Sequence, residues 1–268
     1  MKHLEPVRRS AHKTASRITK LLAPALALFA LAMPASAATN LVKNGSFESN
    51  GGPGATEYGT YRITLDDWFI SPRGFMGLDT EANAKTNVGP EPILLWGASP
   101  DYPSDNGFTG SPDGGYFWVA DGHPGFRGYL QQDITGLTVG EIYDLSFYYA
   151  HAQEGCGPCN GDTRQAWHVY LGNDLLLQTD FIDVPPHGFK GWYKATQSFT
   201  ASAITQTLQF WADGGNGAPP MALLDGVKVM AQNEPLTPTP GPLPLMGFGV
   251  SLAWSNRLRK RIKQSNSH

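Results

Sequence analysis

Three runs of alternating apolar residues carry the side chains best suited to chemistry in this chain. The runs are 143–150, 166–171 and 202–211, and each has the period of two that is typical of a half-buried β-strand. If the apolar positions face a core, the positions that face outward are Tyr148, His168, Tyr170, Gln209 and Trp211. Flat aromatic rings beside a few hydrogen-bonding groups suit stacking on sugar rings. We therefore predict that these five residues share one sheet face that binds a glycan.

Two alternatives to this glycan face stay open. A loop could cover the face, so that its residues form a second core. The alternation could also be misread by one position, and a shift of one residue would move every side chain to the other face.

The two cysteines, Cys156 and Cys159, form a Cys-Gly-Pro-Cys string in the Gly-rich segment 153–162. A thioredoxin-type redox motif has this spacing but belongs at the start of a helix, whereas this segment lies between two predicted antiparallel strands. In an exported protein the leading interpretation is a loop disulfide, whose small ring would stabilise the fold only modestly. A free thiol pair, or a metal site with His151, is the alternative.

Patterns that indicate catalysis are scarce in the sequence. The adjacent acids Asp66 and Asp67 would point to opposite faces of a strand, so they cannot flank one glycosidic bond. The sequence has no Gly-x-Ser-x-Gly or His-Glu-x-x-His motif and no phosphate-binding Gly-rich loop. We predict that the chain is not an enzyme. A glycan hydrolase is the less favoured alternative.

Many short strands separated by Gly, Pro, Asn and Asp must position these residues. Besides the three runs above, strands are predicted at 41–47, 68–70, 116–119, 129–134, 175–178, 193–199 and 223–229. Segments 49–60 and 97–115 have the composition of loops. This pattern predicts an all-β fold, an antiparallel β-sandwich or jelly roll over residues 38–230. A Pro/Thr-rich linker follows at 231–242.

The charge is distributed very unevenly along the chain. Of 20 basic residues, six lie in 1–37 and five in 257–268, while only one of 23 acidic residues lies in these two segments. The remaining body therefore has 9 basic and 22 acidic residues, a net charge near −13. This charge argues against nucleic-acid binding, which requires a basic surface. It favours cation binding or simple solubility.

The N-terminal segment has the three parts of a secretory signal peptide. Basic residues as far as Lys20 precede an apolar run at 21–33, and Ala35-Ser36-Ala37 follows as a small-residue cleavage site. The pair Arg8-Arg9 hints at the twin-arginine route, but the apolar residues that should closely follow are missing, so we favour the general route. Cleavage after Ala37 makes 1–37 a signal peptide and the protein an exported one.

The C-terminal segment 243–268 combines an apolar run, Leu243–Trp254, with a basic block. The run is shorter than the ~20 residues of an ordinary membrane span. With the prolines before it, the segment resembles the PEP-CTERM tripartite sorting signal, in a variant with a Pro-Gly-Pro-Leu-Pro-Leu core. The residues that carry this resemblance are Pro240, Gly241, Pro242, Leu243, Pro244, Arg257, Arg259, Lys260 and Arg261.

The resemblance implies a processing partner of the exosortase type and contact of this tail with a membrane. It also implies a location at the cell envelope or cell surface. A weak interfacial anchor or a disordered tail is the alternative.

The order of motifs in the body is similar to that of a second family. Asn40–Glu48 opens the domain, Gly128–Ile134 and Leu137–Phe147 follow, and Leu224–Val229 closes it. This order resembles carbohydrate-binding-module-type, galactose-binding-like jelly rolls. The resemblance implies that Glu48 and Asp225, near the first and last strands, are ligands of a structural Ca²⁺. Alternatively, Glu48 caps the adjoining backbone and Asp225 makes a turn.

These observations combine into one functional hypothesis. We expect an exported, envelope-attached, non-catalytic protein that binds polysaccharide in an extracellular matrix or biofilm. The alternative is a structural surface or matrix protein that has protein partners and no glycan site.

Overall fold

The computed structural model describes residues 39–57, 63–85, 93–215 and 217–232. The predicted signal peptide, the sorting segment and most of the predicted linker lie outside the described residues. Within the described residues, no helix is long and apolar enough to cross a membrane.

Two antiparallel sheets form a β-sandwich, as predicted. The first sheet contains, in chain order, β1 (Gly54–Glu57), β3 (Phe75–Thr80), β4 (Tyr116–Asp121), β6 (Ile142–Gln153), β10 (Lys190–Thr200) and β12 (Pro220–Ala231). The second contains β2 (Phe69–Ile70), β5 (Tyr129–Thr135), β7 (Thr163–Leu171), β8 (Asp174–Gln178), β9 (Ile182–Val184) and β11 (Thr205–Gly214). The spatial orders are β1-β3-β4-β12-β6-β10 and β2-β5-β11-β7-β8, and β9 pairs with β7. A short helix, α1 (Glu81–Ala84), follows β3.

The predicted strand at 41–47 is wrong, because this segment forms turns. Asn44 and Phe47 have φ values of 47° and 57°, a left-handed conformation that no strand accommodates. The Asn40 side chain accepts hydrogen bonds from the amides of Val42 and Val229, at 3.1 and 2.9 Å, and so holds the segment against the end of β12.

Strand β3 was missed for a different reason. Its four central residues are all buried, so the run Phe75–Thr80 shows no alternation of apolar and polar residues. Both faces of the first sheet are covered at this position.

The main core lies between the two sheets. Phe210 on β11 contacts Phe147 on β6, with ring centroids 5.3 Å apart, and Trp167 on β7, at 6.2 Å. Trp167 also donates a hydrogen bond from Nε1 to the carbonyl of Leu223 on β12, at 3.0 Å. This bond joins the second sheet to the first through a completely buried indole.

A second apolar cluster covers part of the outer face of the first sheet. Phe117 and Val119 on β4 and Leu223 on β12 contribute to it from the sheet. Leu95 and Phe108, from the long segment before β4, pack over them. A loop-covered face, which was an alternative for the predicted glycan face, therefore exists on the first sheet.

Candidate functional site

Four of the five predicted glycan-face residues lie together on the outer face of the second sheet. Trp211 on β11 pairs with His168 on β7, and Gln209 pairs with Tyr170 in the same two strands. All four side chains are partly exposed and line one cleft of about 520 Å³. The alternation in β7 and β11 was therefore interpreted correctly.

The fifth residue, Tyr148, does not belong to this face. It lies on β6 in the first sheet, where it pairs with Asp225 and Lys194, and the Lys194 ammonium lies 5.8 Å from its ring centroid. The prediction of one shared face is wrong for Tyr148. Alternation gives the side of a strand that faces outward, but the sheet to which that strand belongs depends on its partners.

The aromatic row continues onto two further strands, whose aromatic residues were not among the predicted site residues. Tyr129 on β5 pairs with Trp211, and their ring centroids are 4.8 Å apart. Phe69 on β2 lies 6.0 Å from Tyr129 and is 48% exposed. Leu130 and Ile134 are buried, so the alternation of β5 could have identified Tyr129 as an outward residue. Aromatic rings thus cross the sheet from β7 to β2.

Polar contacts fix the orientation of the Trp211 ring. Trp211 donates from Nε1 to Oε1 of Gln209, and Gln209 donates from Nε2 to Oε1 of Gln131 at 2.8 Å. Such contacts lower the freedom that the side chains would lose when a ligand binds. The central part of the row is therefore preorganised.

Three charged or titratable groups lie beside the row. Arg127 donates from Nη1 to Oδ1 of Asp213 at 2.7 Å. His168 Nε2 lies 3.6 Å from Oδ2 of Asp213 and has no hydrogen-bond partner among the described residues. The Nε2 atom of His168 is itself buried, so the group that the cleft presents next to the aromatic surface is the Arg127 guanidinium.

A second cleft of about 540 Å³ adjoins the first. Trp211 and Arg127 line both clefts, and Tyr129 and Arg73 line the second one. The two clefts therefore form one groove, with Trp211 at their junction.

Two closely packed loops, 71–74 and 123–128, form the wall of the second cleft. Ser71 Oγ accepts from the Tyr129 amide at 3.0 Å and donates to the Arg73 carbonyl at 2.6 Å. A Cβ at Gly128 would lie 2.1 Å from that same carbonyl. The loops thus meet backbone to backbone, which requires glycine at 128. Loop positions have no periodic signal, so Arg73 and Arg127 were not predicted from the sequence. Asp213 follows the outward positions 209 and 211 on β11, but the predicted strand ended at 211.

The predicted calcium ligands Glu48 and Asp225 lie close enough for the charge of Glu48 to act on Asp225. Glu48 Oε1 accepts a hydrogen bond from the Tyr116 amide at 2.7 Å. Asp113 joins them, with a hydrogen bond from Ser46 at 2.5 Å and an ion pair with Lys228 at 3.2 Å. This acid cluster, Glu48, Asp113 and Asp225, lies at the outer face of the first sheet.

Asp225 is completely buried within this cluster. Its Oδ1 accepts from the Gly226 amide at 2.7 Å, while Oδ2 has no hydrogen-bond partner among the described residues. Burial raises the pKa of Asp225 to about 8. The Ser111 hydroxyl and the Gly226 amide act against this rise in pKa, and the charges of Asp113 and Glu48 add to it.

The acid cluster does not amount to a complete metal centre by itself. In the part of the chain that the structure describes, no group of three or more His, Cys, Asp or Glu residues has an arrangement that could hold a metal ion. Backbone carbonyls and water would have to complete a Ca²⁺ shell, which needs six to eight oxygens.

Cys156 and Cys159 are joined in a disulfide, with their Cα atoms 5.1 Å apart. The bond closes a turn in the loop between β6 and β7. His151 does not join them: it is completely buried in β6, with its ring 5.5 Å from that of Tyr149. Burial lowers the pKa of His151 to about 4, so it is neutral at pH 7.

Comparisons with known proteins find similarity at the level of the fold. No protein-family model matches the chain. Halomucin of Haloquadratum walsbyi is 26% identical over 198 residues, which are 74% of this chain and 2% of halomucin. The chain thus spans about 2% of the length of this curated relative.

The similar solved structures include carbohydrate-binding modules. A CBM61 module in complex with β-1,4-galactotriose is 14% identical, and the match covers 72% of this chain and 99% of the module with a TM-score of 0.34. A CBM4 structure is 17% identical, with 71% and 99% coverage and a TM-score of 0.33. These modules have an all-β, jelly-roll-like fold.

The similar structures also include an enzyme, a cyclase from Fischerella sp. It is 13% identical over 73% of this chain and 97% of the cyclase, with a TM-score of 0.43. The prediction that the chain is not an enzyme is contradicted by this finding, and the exclusion of catalysis is withdrawn. TM-scores at this level assign neither a reaction nor a ligand to the chain.

The raised pKa of Asp225 predicts how stability depends on pH. The unfolded chain loses the Asp225 proton near pH 4 and the folded chain near pH 8, so ionisation favours the unfolded state and stability falls as pH rises between these values. Asp225→Asn removes the ionisable group and therefore this loss of stability. At pH 9 we expect the variant to be more stable than the wild type by about 1–3 kcal/mol, with little difference at pH 4. Urea unfolding at a series of pH values measures this.

Two other groups must be separated from this effect. Burial also raises the pKa values of Asp79 and Asp121 to about 7, so both proteins lose stability as pH rises and only the difference between their profiles reports on Asp225. Asp174→Asn, at an exposed position of β8, is the matched control. Parallel profiles for the wild type and Asp225→Asn would contradict the prediction.

Proposed function

We propose that the outer face of the second sheet binds polysaccharide. The observation that carries this proposal is the row of Tyr170, Trp211 and Tyr129 along one groove, with the amide group of Gln209 beside the rings. Phe69 continues the row next to Tyr129.

The geometry of the row supports an extended ligand. Neighbouring strands are ~4.8 Å apart, so aromatic residues on four adjacent strands offer successive stacking positions across the sheet. Flat rings suit the apolar faces of sugars, and hydroxyl groups can accept from or donate to the polar side chains between them. A groove open at the surface accepts a chain internally rather than only at its end.

Removal of the central ring tests this proposal. Trp211→Ala and Tyr170→Ala should each weaken polysaccharide binding about tenfold, because each loses one stacking surface. Affinity gel electrophoresis against soluble galactan, glucan, xylan and pectin measures the retardation. Tyr148→Ala is the matched control, since it removes an outward aromatic ring from the other sheet and should leave retardation unchanged.

Two outcomes would contradict the proposal. One is a wild-type protein that none of these polymers retards, which would favour the alternative of a structural matrix protein with protein partners. The other is a Trp211→Ala variant that is retarded as strongly as the wild type.

We also propose that the protein is exported and attached to the cell envelope, with an exosortase-type enzyme as its processing partner. The sequence of residues 1–37 and 240–263 supports this proposal. The intact mass of the native protein, isolated from its envelope, should lack residues 1–37 and the tail beyond about Pro240. A mass that retains the tail in a membrane fraction would contradict processing and indicate a stable anchor.

A structural Ca²⁺ held by Glu48 and Asp225 is a further proposal. The buried Oδ2 of Asp225 fits a cation ligand, because it has no hydrogen-bond partner among the described residues. The Glu48 carboxylate, held by the Tyr116 amide, lies close enough to raise the pKa of Asp225. Lys228 already neutralises Asp113, so these two carboxylates carry the charge of the proposed site.

Calcium should stabilise the fold more strongly at high pH, because it must replace the proton on Asp225. We expect Tm to rise on the order of 5 °C with saturating Ca²⁺ over EGTA at pH 9, and less at pH 6. Asp225→Asn should abolish the rise and Asp174→Asn should keep it. A Tm that is insensitive to Ca²⁺ at both pH values would contradict the site.

A further inference from the structure

Two of the few arginines of the protein body line the same cleft. Between residues 38 and 256 the chain has only four, Arg62, Arg73, Arg127 and Arg164, against 22 acidic residues. Arg62 lies outside the described residues. Of the other three, Arg73 and Arg127 line the same cleft, which adjoins Trp211.

The surroundings of this cleft leave its positive charge largely uncompensated. Among the described residues that line it there is no aspartate or glutamate. Arg127 reaches Asp213 in the adjoining cleft, while Arg73 is exposed and forms no ion pair with any described residue. Two guanidinium groups therefore face one carboxylate along the groove, in a protein body that is acidic elsewhere.

The backbone holds both arginines at the groove. Arg73 lies between Ser71, which bonds its carbonyl, and Gly74, whose φ of 104° turns the chain. The Arg127 amide bonds the His123 carbonyl at 2.9 Å, which closes the second loop. Because the two loops meet backbone to backbone at Gly128, the chain segments that carry the two arginines stay close together, and both side chains line one cleft.

We infer that the polysaccharide in this groove is anionic, with carboxylate or sulfate groups that contact Arg73 and Arg127. The inference rests on the proposed polysaccharide site. Guanidinium groups bind carboxylate and sulfate through paired hydrogen bonds, which neutral hydroxyl groups cannot match in strength. An acidic protein body repels a polyanion, so a local pair of cations is needed to admit one. A sugar ring stacked on Trp211 would lie beside Arg127.

One polymer in two charge states provides the test. Polygalacturonate and its fully methyl-esterified form have the same backbone and differ in the carboxylate charge. We expect the protein to bind the acid form more tightly, and the preference to shrink as NaCl rises from about 0.05 to 0.5 M because salt screens exposed charges. A sulfated galactan and its desulfated form, measured in parallel, distinguish sulfate from carboxylate as the anion.

Variants that lack one of the two arginines test whether these residues cause the preference for the acid form. Arg73→Gln and Arg127→Gln should each lower the ratio of the two affinities about fivefold, as expected for a partly exposed charge pair. Arg164→Gln is the matched control: it removes an exposed arginine from β7 that pairs with Asp183 at 3.5 Å and lines neither cleft. It should leave the ratio unchanged.

The outcomes separate this inference from the proposed function. Equal binding of both polymer forms by the wild type, abolished by Trp211→Ala, would overturn the inference and leave the polysaccharide site standing. A preference for the acid form that Arg164→Gln lowers as much as Arg73→Gln would also overturn it. Absence of binding to every form and to the neutral glucan and xylan, or binding that Trp211→Ala leaves unchanged, would overturn both.

Discussion

The packing of β11 against the core is the constraint on which the rest of the molecule depends. Leu208, Phe210 and Ala212 are completely buried between the sheets, so the residues between them must face outward. A shift of one residue would bury Gln209 and Trp211 and expose Phe210, at a cost of several kcal/mol. Core packing therefore sets the register of β11, and this register places Trp211 between His168 and Tyr129.

Among the described residues, the long connections cover the outer face of the first sheet but not that of the second. The segment 93–108 packs on the first sheet and is held to the turn before β10. The rings of Trp96 and His187 stack with centroids 3.6 Å apart, and Asn106 donates to the carbonyls of both residues. These contacts make the first sheet a two-sided core. The second sheet, by contrast, keeps its aromatic row in an open groove.

Three aspartate side chains are buried on the first sheet, whereas charged side chains line the groove on the second. On the first sheet Asp79, Asp121 and Asp225 are buried, and desolvation raises all three pKa values. Such groups favour the protonated form, or a cation, over an isolated negative charge. On the second sheet the charges lie at the surface of the groove, where Arg127 and Asp213 are paired and Arg73 is exposed. The first arrangement affects stability, whereas the second is accessible to a ligand.

The sequence by itself determined which residues face outward on the strands whose apolar and polar residues alternate. Alternation predicted the β-sandwich and the outward positions of His168, Tyr170, Gln209 and Trp211, because the two-residue period of a strand is a local property. It failed for β3, where burial on both faces removes the alternation, and for 41–47, where side-chain hydrogen bonds to the backbone favour turns.

Only the tertiary structure decided which outward residues meet. Tyr148 follows the same alternation but lies on the other sheet, because sheet membership depends on pairing between strands that are distant in sequence. Tyr129 lies in the row because its strand pairs with that of Trp211. Arg73 and Arg127 lie beside the row because of contacts between two loops, and such contacts have no sequence period. The sequence predicted the chemistry of single strands, whereas long-range pairing assembled the groove from them.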